Sequence, residues 1–222
     1  MSAGDRAARP LARTMESATT ALPAQPRFPA ALAALARRAA RRARHAPDRL
    51  LHPWRRAAAL ARVRAEPLPE SVLFVCTGNI YRSPYAAAAL ERCLPGALRA
   101  AVRVSSAGFV GPGRPPPEPA VRVAARRSVD LSAHRSSLIT AERVRAAALV
   151  VVMDPRHASA LRARFGPAAL RVELLGDFDP QPIDTRAVRD PWGAGDDVLE
   201  ASYGRVERCV GALARAMVGG SA

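Results

Sequence analysis

The chain has 222 residues, enough for one domain and an appendage, and its 49% hydrophobic content permits a real core. Its net charge of +15 is carried by arginine alone, since there is no lysine, and its three cysteines show no paired spacing. No disulfide framework is therefore implied and a reducing, cytoplasmic setting is expected; the longest apolar run, Ala146 to Met153, is too short to span a bilayer, and no signal peptide with a distinct apolar segment is visible.

Residues 1–28 are rich in Ala, Pro, Arg and Thr, with few large apolar side chains, and read as disordered. From Pro29 to Val63 the pattern is helix-friendly, and Pro47 and Pro53 should break it into two or three pieces. This stretch holds the strongest charge run, Arg37-Arg38-Ala39-Ala40-Arg41-Arg42-Ala43-Arg44. Residues 1–70 carry 14 Arg against 5 acids, a net of +9, and the other 152 residues carry 20 Arg against 14 acids, a net of +6. The run reads first as a solvated helix face, and second as an anchor for an anionic membrane or an acidic partner. Nucleic acid is not expected, because no aromatic residues interleave with the basic ones. Glu66 to Glu70 contains two prolines and reads as a linker, which divides the chain into an Arg/Ala-rich extension over 1–66 and a domain over 67–222.

Within the domain, strands and helices alternate. Strands are expected at Ser71–Val75, Val102–Ser105, Ala148–Met153 and Leu170–Leu174. Helices are expected at Pro84–Cys93, Ala120–Ser128, Thr140–Arg145 with Thr140 as its cap, Arg156–Phe165 and Asp196–Met217. Gly111–Pro119, with five prolines and two glycines, must be a loop, and Asp179 to Gly195 is another. The alternation predicts an α/β fold with a parallel sheet flanked by helices. Ligands of such sheets bind outside the carboxyl ends of the strands.

One of those ends carries Cys76-Thr77-Gly78-Asn79-Ile80-Tyr81-Arg82-Ser83, between the apolar run Val72–Val75 and an alanine-rich helix. A helix start leaves backbone N–H groups without partners, and its dipole adds positive potential; together they suit a phosphate-sized dianion. Gly78 and Asn79 are the residues best able to take left-handed backbone angles and turn those N–H groups inward. Arg82 offers a planar fork for two phosphate oxygens. The same field favours the thiolate of Cys76, a nucleophile toward phosphorus, and Ser83 can donate a hydrogen bond to it. The remaining histidines, His45, His52 and His157, show no metal-ligand spacing.

The segment Val72–Leu90 resembles the active-site loop of the low-molecular-weight protein tyrosine phosphatases. Three more segments resemble that family in the right order: Ser105-Ser106-Ala107-Gly108, Asp130-Leu131-Ser132-Ala133-His134-Arg135, and Asp190-Pro191-Trp192. The likeness spans Ser71 to Val218. It implies a four-stranded sheet in the order 2-1-3-4 with a phosphate-binding loop after the first strand. It also implies metal-free, cofactor-free hydrolysis of phosphotyrosine proteins, tyrosine kinases among them, through a phosphocysteine on Cys76. By the same resemblance Arg82 stabilises the transition state, and Thr77, Gly78, Asn79, Ile80, Tyr81 and Ser83 complete the loop. Asn79, Ser83, Ser106 and His134 form its supporting network. Asp190 is the general acid and then the general base, and Phe109 and Trp192 flank the substrate ring.

Two departures stand out. Tyr81 occupies the place where most relatives carry a second cysteine that protects the nucleophile from over-oxidation, and Gly193 follows Trp192 where many carry another aromatic. The alternatives to tyrosine phosphatase activity are arsenate reduction, which needs relay cysteines that Tyr81 does not supply, and phosphoarginine hydrolysis, whose relatives carry Thr at the position of Ile80. A third alternative is a phosphoprotein-binding module without catalysis.

Overall fold

The computed structural model describes residues 28–65, 67–166 and 171–219. The reading of residues 1–28 as disordered therefore falls, Phe28 apart, outside the described residues. In chain order the elements are α1 (Phe28–Arg44), α2 (Ala46–Arg64), β1 (Ser71–Cys76), α3 (Arg82–Cys93), α4 (Gly96–Ala101) and β2 (Arg103–Gly108). There follow α5 (Glu118–Arg126), α6 (Ala141–Ala146), β3 (Leu149–Val152), α7 (Pro155–Phe165), β4 (Val172–Leu174), a 3-10 turn (Leu175–Phe178) and α8 (Asp196–Val218).

The four strands form one parallel sheet in the order β2-β1-β3-β4, as the sequence led us to expect. β1 is buried along its whole length because both its faces are covered. Its period of two sorts the side chains cleanly. Val72, Phe74 and Cys76 join the larger core cluster with residues of α3, α5 and α8. Leu73 and Val75 join the smaller one with Val144 of α6 and Ala158 and Leu161 of α7. α8 buries Leu199, Tyr203, Val206, Val210, Leu213 and Met217, spaced at three and four residues, as one stripe.

Four elements differ from expectation. β2 runs on to Gly108 because Ser106, Ala107 and Gly108 pair with Phe74, Val75 and Cys76. α5 begins at Glu118, since proline in a first helical turn gives up only an N–H that has no partner there. α4 was not foreseen; its six residues bury no side chain and so carry no periodic signal. Of the expected strand at Leu170–Leu174, Leu170 lies outside the described residues and the strand starts at Val172.

The compact unit around the sheet begins at Arg41 and includes α2, upstream of the boundary at residue 67 suggested by composition. Pro47 sits in the first turn of α2 and is tolerated there. Pro53 lies inside α2 without ending it. The helix is held beyond that point by burial of Ala59, Leu60 and Val63 in the larger core cluster. α1 is described only as a helix with Leu32 and Leu35 exposed.

Candidate active site

The loop between β1 and α3 turns at Asn79, whose φ of 52° lies in the left-handed region. Asparagine tolerates that region better than other non-glycine residues. Gly78, expected to share the role, has no positive φ. Its missing side chain instead leaves room for Arg114: a Cβ there would lie 3.2 Å from the Arg114 guanidinium. That guanidinium donates to the Gly78 carbonyl at 3.1 Å. Gly108 lets β2 approach the loop, since a Cβ on it would sit 2.8 Å from both the Asn79 nitrogen and the Thr77 oxygen.

Asn79 is fully buried and is the hub of the loop. Its amide donates to Ser83 Oγ at 2.9 Å and to Ser106 Oγ at 2.8 Å. Its Oδ1 accepts from the Ser137 backbone at 2.8 Å. His134 Nε2 lies 2.8 Å from the Asn79 carbonyl, which can only accept, so the imidazole proton sits on Nε2. Cys76 Sγ lies 3.0 Å from Ser83 Oγ and receives the Asn79 backbone N–H at 3.2 Å. The backbone N–H donates to the sulfur, and in the contact with Ser83 either atom can be the donor. The loop is tied to the neighbouring segment where Thr77 O accepts from Phe109 N at 2.8 Å and Val110 N at 3.2 Å.

Arg82 begins α3 with its side chain buried. One terminal nitrogen donates to the Val188 carbonyl at 3.1 Å, and the other pairs with the Asp190 carboxylate. Its Nε is buried and has no partner among the described residues, which leaves a donor for an incoming oxygen. Asp190 also accepts from the Trp192 backbone at 3.3 Å. Trp192 is largely exposed and meets Tyr81 edge-to-face with ring centroids 6.2 Å apart.

Cys76, Thr77, Gly78, Ile80, Tyr81 and Arg82 line one cavity of about 250 Å³ together with Val110, Arg114, Asp190 and Trp192. The sequence-derived loop, the acid candidate and one ring flank thus meet at the carboxyl end of β1. Ser106 and His134 stand behind the loop. Phe109 does not line the cavity: its ring packs on His157, with centroids 5.6 Å apart, and on the smaller core cluster. Val110, the next residue, lines the cavity instead.

Four participants escaped the sequence reading. Arg114 and Val110 sit in or before the proline-rich loop, which offered no position-specific signal. Ser137 acts through its backbone, which sequence does not show. His157 Nε2 lies 3.1 Å from Thr77 Oγ1. Burial, with the charge of Arg82 nearby, pushes its pKa down to about 4, so this imidazole is neutral. Among the described residues no group of three or more His, Cys, Asp or Glu could hold a metal ion.

A family model described as "Low molecular weight phosphotyrosine protein phosphatase" matches residues 71–219. The chain is 34% identical over 139 residues to the low molecular weight protein-tyrosine-phosphatase Etp of Escherichia coli K12, covering 62% of this chain and 88% of that protein. It is 34% identical over 149 residues to a protein-arginine-phosphatase of Geobacillus stearothermophilus, covering 66% and 95%. Among solved structures, the tyrosine phosphatase AmsI of Erwinia amylovora superposes with a TM-score of 0.60 at 28% identity, over 67% of this chain and 93% of that one.

Proposed function

The chain belongs to the low molecular weight phosphotyrosine protein phosphatase family, and from that premise we propose that it hydrolyses phosphotyrosine in proteins through Cys76, Arg82 and Asp190. The observation that carries the reading is their meeting in one cavity, with Arg82 Nε buried and without a partner among the described residues.

In the first step the Cys76 thiolate attacks phosphorus. The bond from phosphorus to the phenolic oxygen breaks, and Asp190 gives that oxygen its proton. Before this step the phosphate takes the Arg82 fork and displaces the Asp190 carboxylate, which takes up a proton from solvent and turns to face the leaving group. In the second step Asp190 takes a proton from water. The water oxygen bonds to phosphorus, the phosphorus–sulfur bond breaks, and inorganic phosphate leaves. Ser83 and the Asn79 N–H, 3.0 and 3.2 Å from the sulfur, receive the returning thiolate. Tyr81 and Trp192 give the mouth an aromatic wall suited to a phenyl ring. The partners that fit are phosphotyrosine proteins, an autophosphorylated tyrosine kinase among them.

Phosphoarginine hydrolysis is the second reading, favoured by the likeness to the Geobacillus arginine phosphatase. Ile80 weighs against it: its buried apolar side chain lines the cavity and offers no hydrogen bond to a guanidinium. The test is turnover of phosphotyrosine, phosphoserine and phosphoarginine peptides by wild type, Cys76→Ser and Asp190→Ala. Phosphotyrosine turnover that vanishes without Cys76 and falls by about 10²–10⁴ without Asp190 supports the mechanism. Preferred turnover of phosphoarginine, or tight binding without turnover, would sink it.

A further inference from the structure

α2 is apolar on two sides. One side, with Ala59, Leu60 and Val63, is buried in the core. On the other, Leu50, Trp54, Ala57, Ala61 and Leu51 fall within roughly a third of the circumference at 3.6 residues per turn. Leu50 is 78% exposed and Trp54 82%, and Leu51 is also exposed. Single exposed hydrophobics are ordinary. Three large ones within five residues on one helix face mark an unpartnered stripe. Arg64 borders it on one flank; on the other, Arg55 and Arg62 are paired with Asp48 and Glu173.

We propose that this stripe docks the protein on an anionic lipid bilayer, with α2 lying in the headgroup plane. Three observations choose this occupant. The stripe is the convex ridge of a helix, so it needs a deformable surface rather than a preformed mate, and an interface that admits Trp and Leu while Arg stems reach outward supplies one. The sequence around it is basic, with a net of +9 over residues 1–70, which draws it to negatively charged headgroups. A second copy would bring like charge against like charge, with a net of +15 on each chain. No described helix is long and apolar enough to cross a membrane, so α2 would lie on the bilayer and not span it.

The test is flotation of the full chain with phosphatidylglycerol-containing and pure phosphatidylcholine vesicles. Selective capture by the anionic vesicles is expected, weakened by high salt. In Trp192→Phe protein the remaining tryptophan, Trp54, should shift its emission to the blue on those vesicles. Leu50→Glu and Trp54→Glu should each weaken capture by about tenfold or more, while turnover of a soluble aryl phosphate and the melting temperature hold. Three outcomes overturn the proposal: no selective capture; capture that the glutamate variants leave unchanged, which would assign it to the arginine run of α1; or a dimer in lipid-free solution that the same variants dissolve, which would assign the stripe to a second copy.

Discussion

The Asp48 carboxylate accepts a hydrogen bond from the backbone N–H of Arg186 at 3.1 Å. Asp48 belongs to α2, outside the segment matched by the family model, and Arg186 lies four residues before Asp190. The Arg186 side chain forks onto buried Asp177, and His52 of α2 lies 2.9 Å from the Asp179 carbonyl. α2 thus braces the stretch that carries the proposed acid. Removing that brace with Asp48→Ala should lower kcat by roughly 3–10-fold, because small misplacements of a catalytic group are costly. The drop should be larger for phenyl phosphate, whose leaving group needs protonation, than for 4-nitrophenyl phosphate. Equal losses on both substrates would mean that Asp48 does not act through the acid.

Truncation should separate the two parts of the N-terminal region. A chain beginning at Arg41 should keep the stability of the full protein. A chain beginning at Pro67 loses the burial of Leu60, Val63 and Ala59. At about 1.5–3 kcal/mol for each larger side chain, it should unfold at markedly lower urea concentration. Equal denaturation midpoints would show that α2 contributes nothing to the core.

The loop depends on backbone approach. Gly108→Ala places a methyl group 2.8 Å from the Asn79 nitrogen and the Thr77 oxygen, and neither is a flexible side-chain end that can swing away. Activity should fall by about 10²-fold or more through misplaced donors, with a stability loss of about 1–3 kcal/mol from strain. Asn79→Ala should do worse, because it removes three side-chain hydrogen bonds and leaves alanine at a φ of 52°. Denaturant titration and phosphatase assays check both; unimpaired Gly108→Ala would refute the close approach.

His157 makes the fold sensitive to acid. Its folded-state pKa is depressed to about 4 from 6.5, by burial first and by Arg82 second. Between those values the unfolded chain binds a proton that the folded chain refuses. The stability it contributes is therefore complete above about pH 6.5 and lost as pH falls toward 4, by on the order of 3 kcal/mol at most. His157→Gln should flatten this limb of the stability curve. An unchanged limb would mean that the imidazole is not held neutral.

Peroxide should inactivate the protein irreversibly. Tyr81 supplies no thiol to trap a sulfenic acid on Cys76, and all three cysteines are free. Cys93 ends α3, about 16 Å along the helix from Arg82 at 1.5 Å per residue. Cys209 is buried in α8, where burial pushes its thiol up to about 12. Full recovery of activity with dithiothreitol would refute this, and Tyr81→Cys should gain that recovery.

What the sequence determined by itself was whatever rests on neighbours in the chain. The apolar runs of β1 and β3, the turn at Asn79, the cysteine before a helix start and the order of the four motifs each declare themselves within a few residues; the alternation of strand and helix carried the parallel sheet, and the family resemblance its order. What only the tertiary structure decided rests on which distant backbones meet. Sheet register brings Gly108 against the loop and delivers Ser137 to Asn79. Packing turns Phe109 to His157 and gives its place on the cavity wall to Val110. Burial, not sequence spacing, keeps His157 neutral beside Thr77, and helix α2, which composition grouped with the N-terminal extension, is drawn into the core by three side chains and set against the loop that bears Asp190.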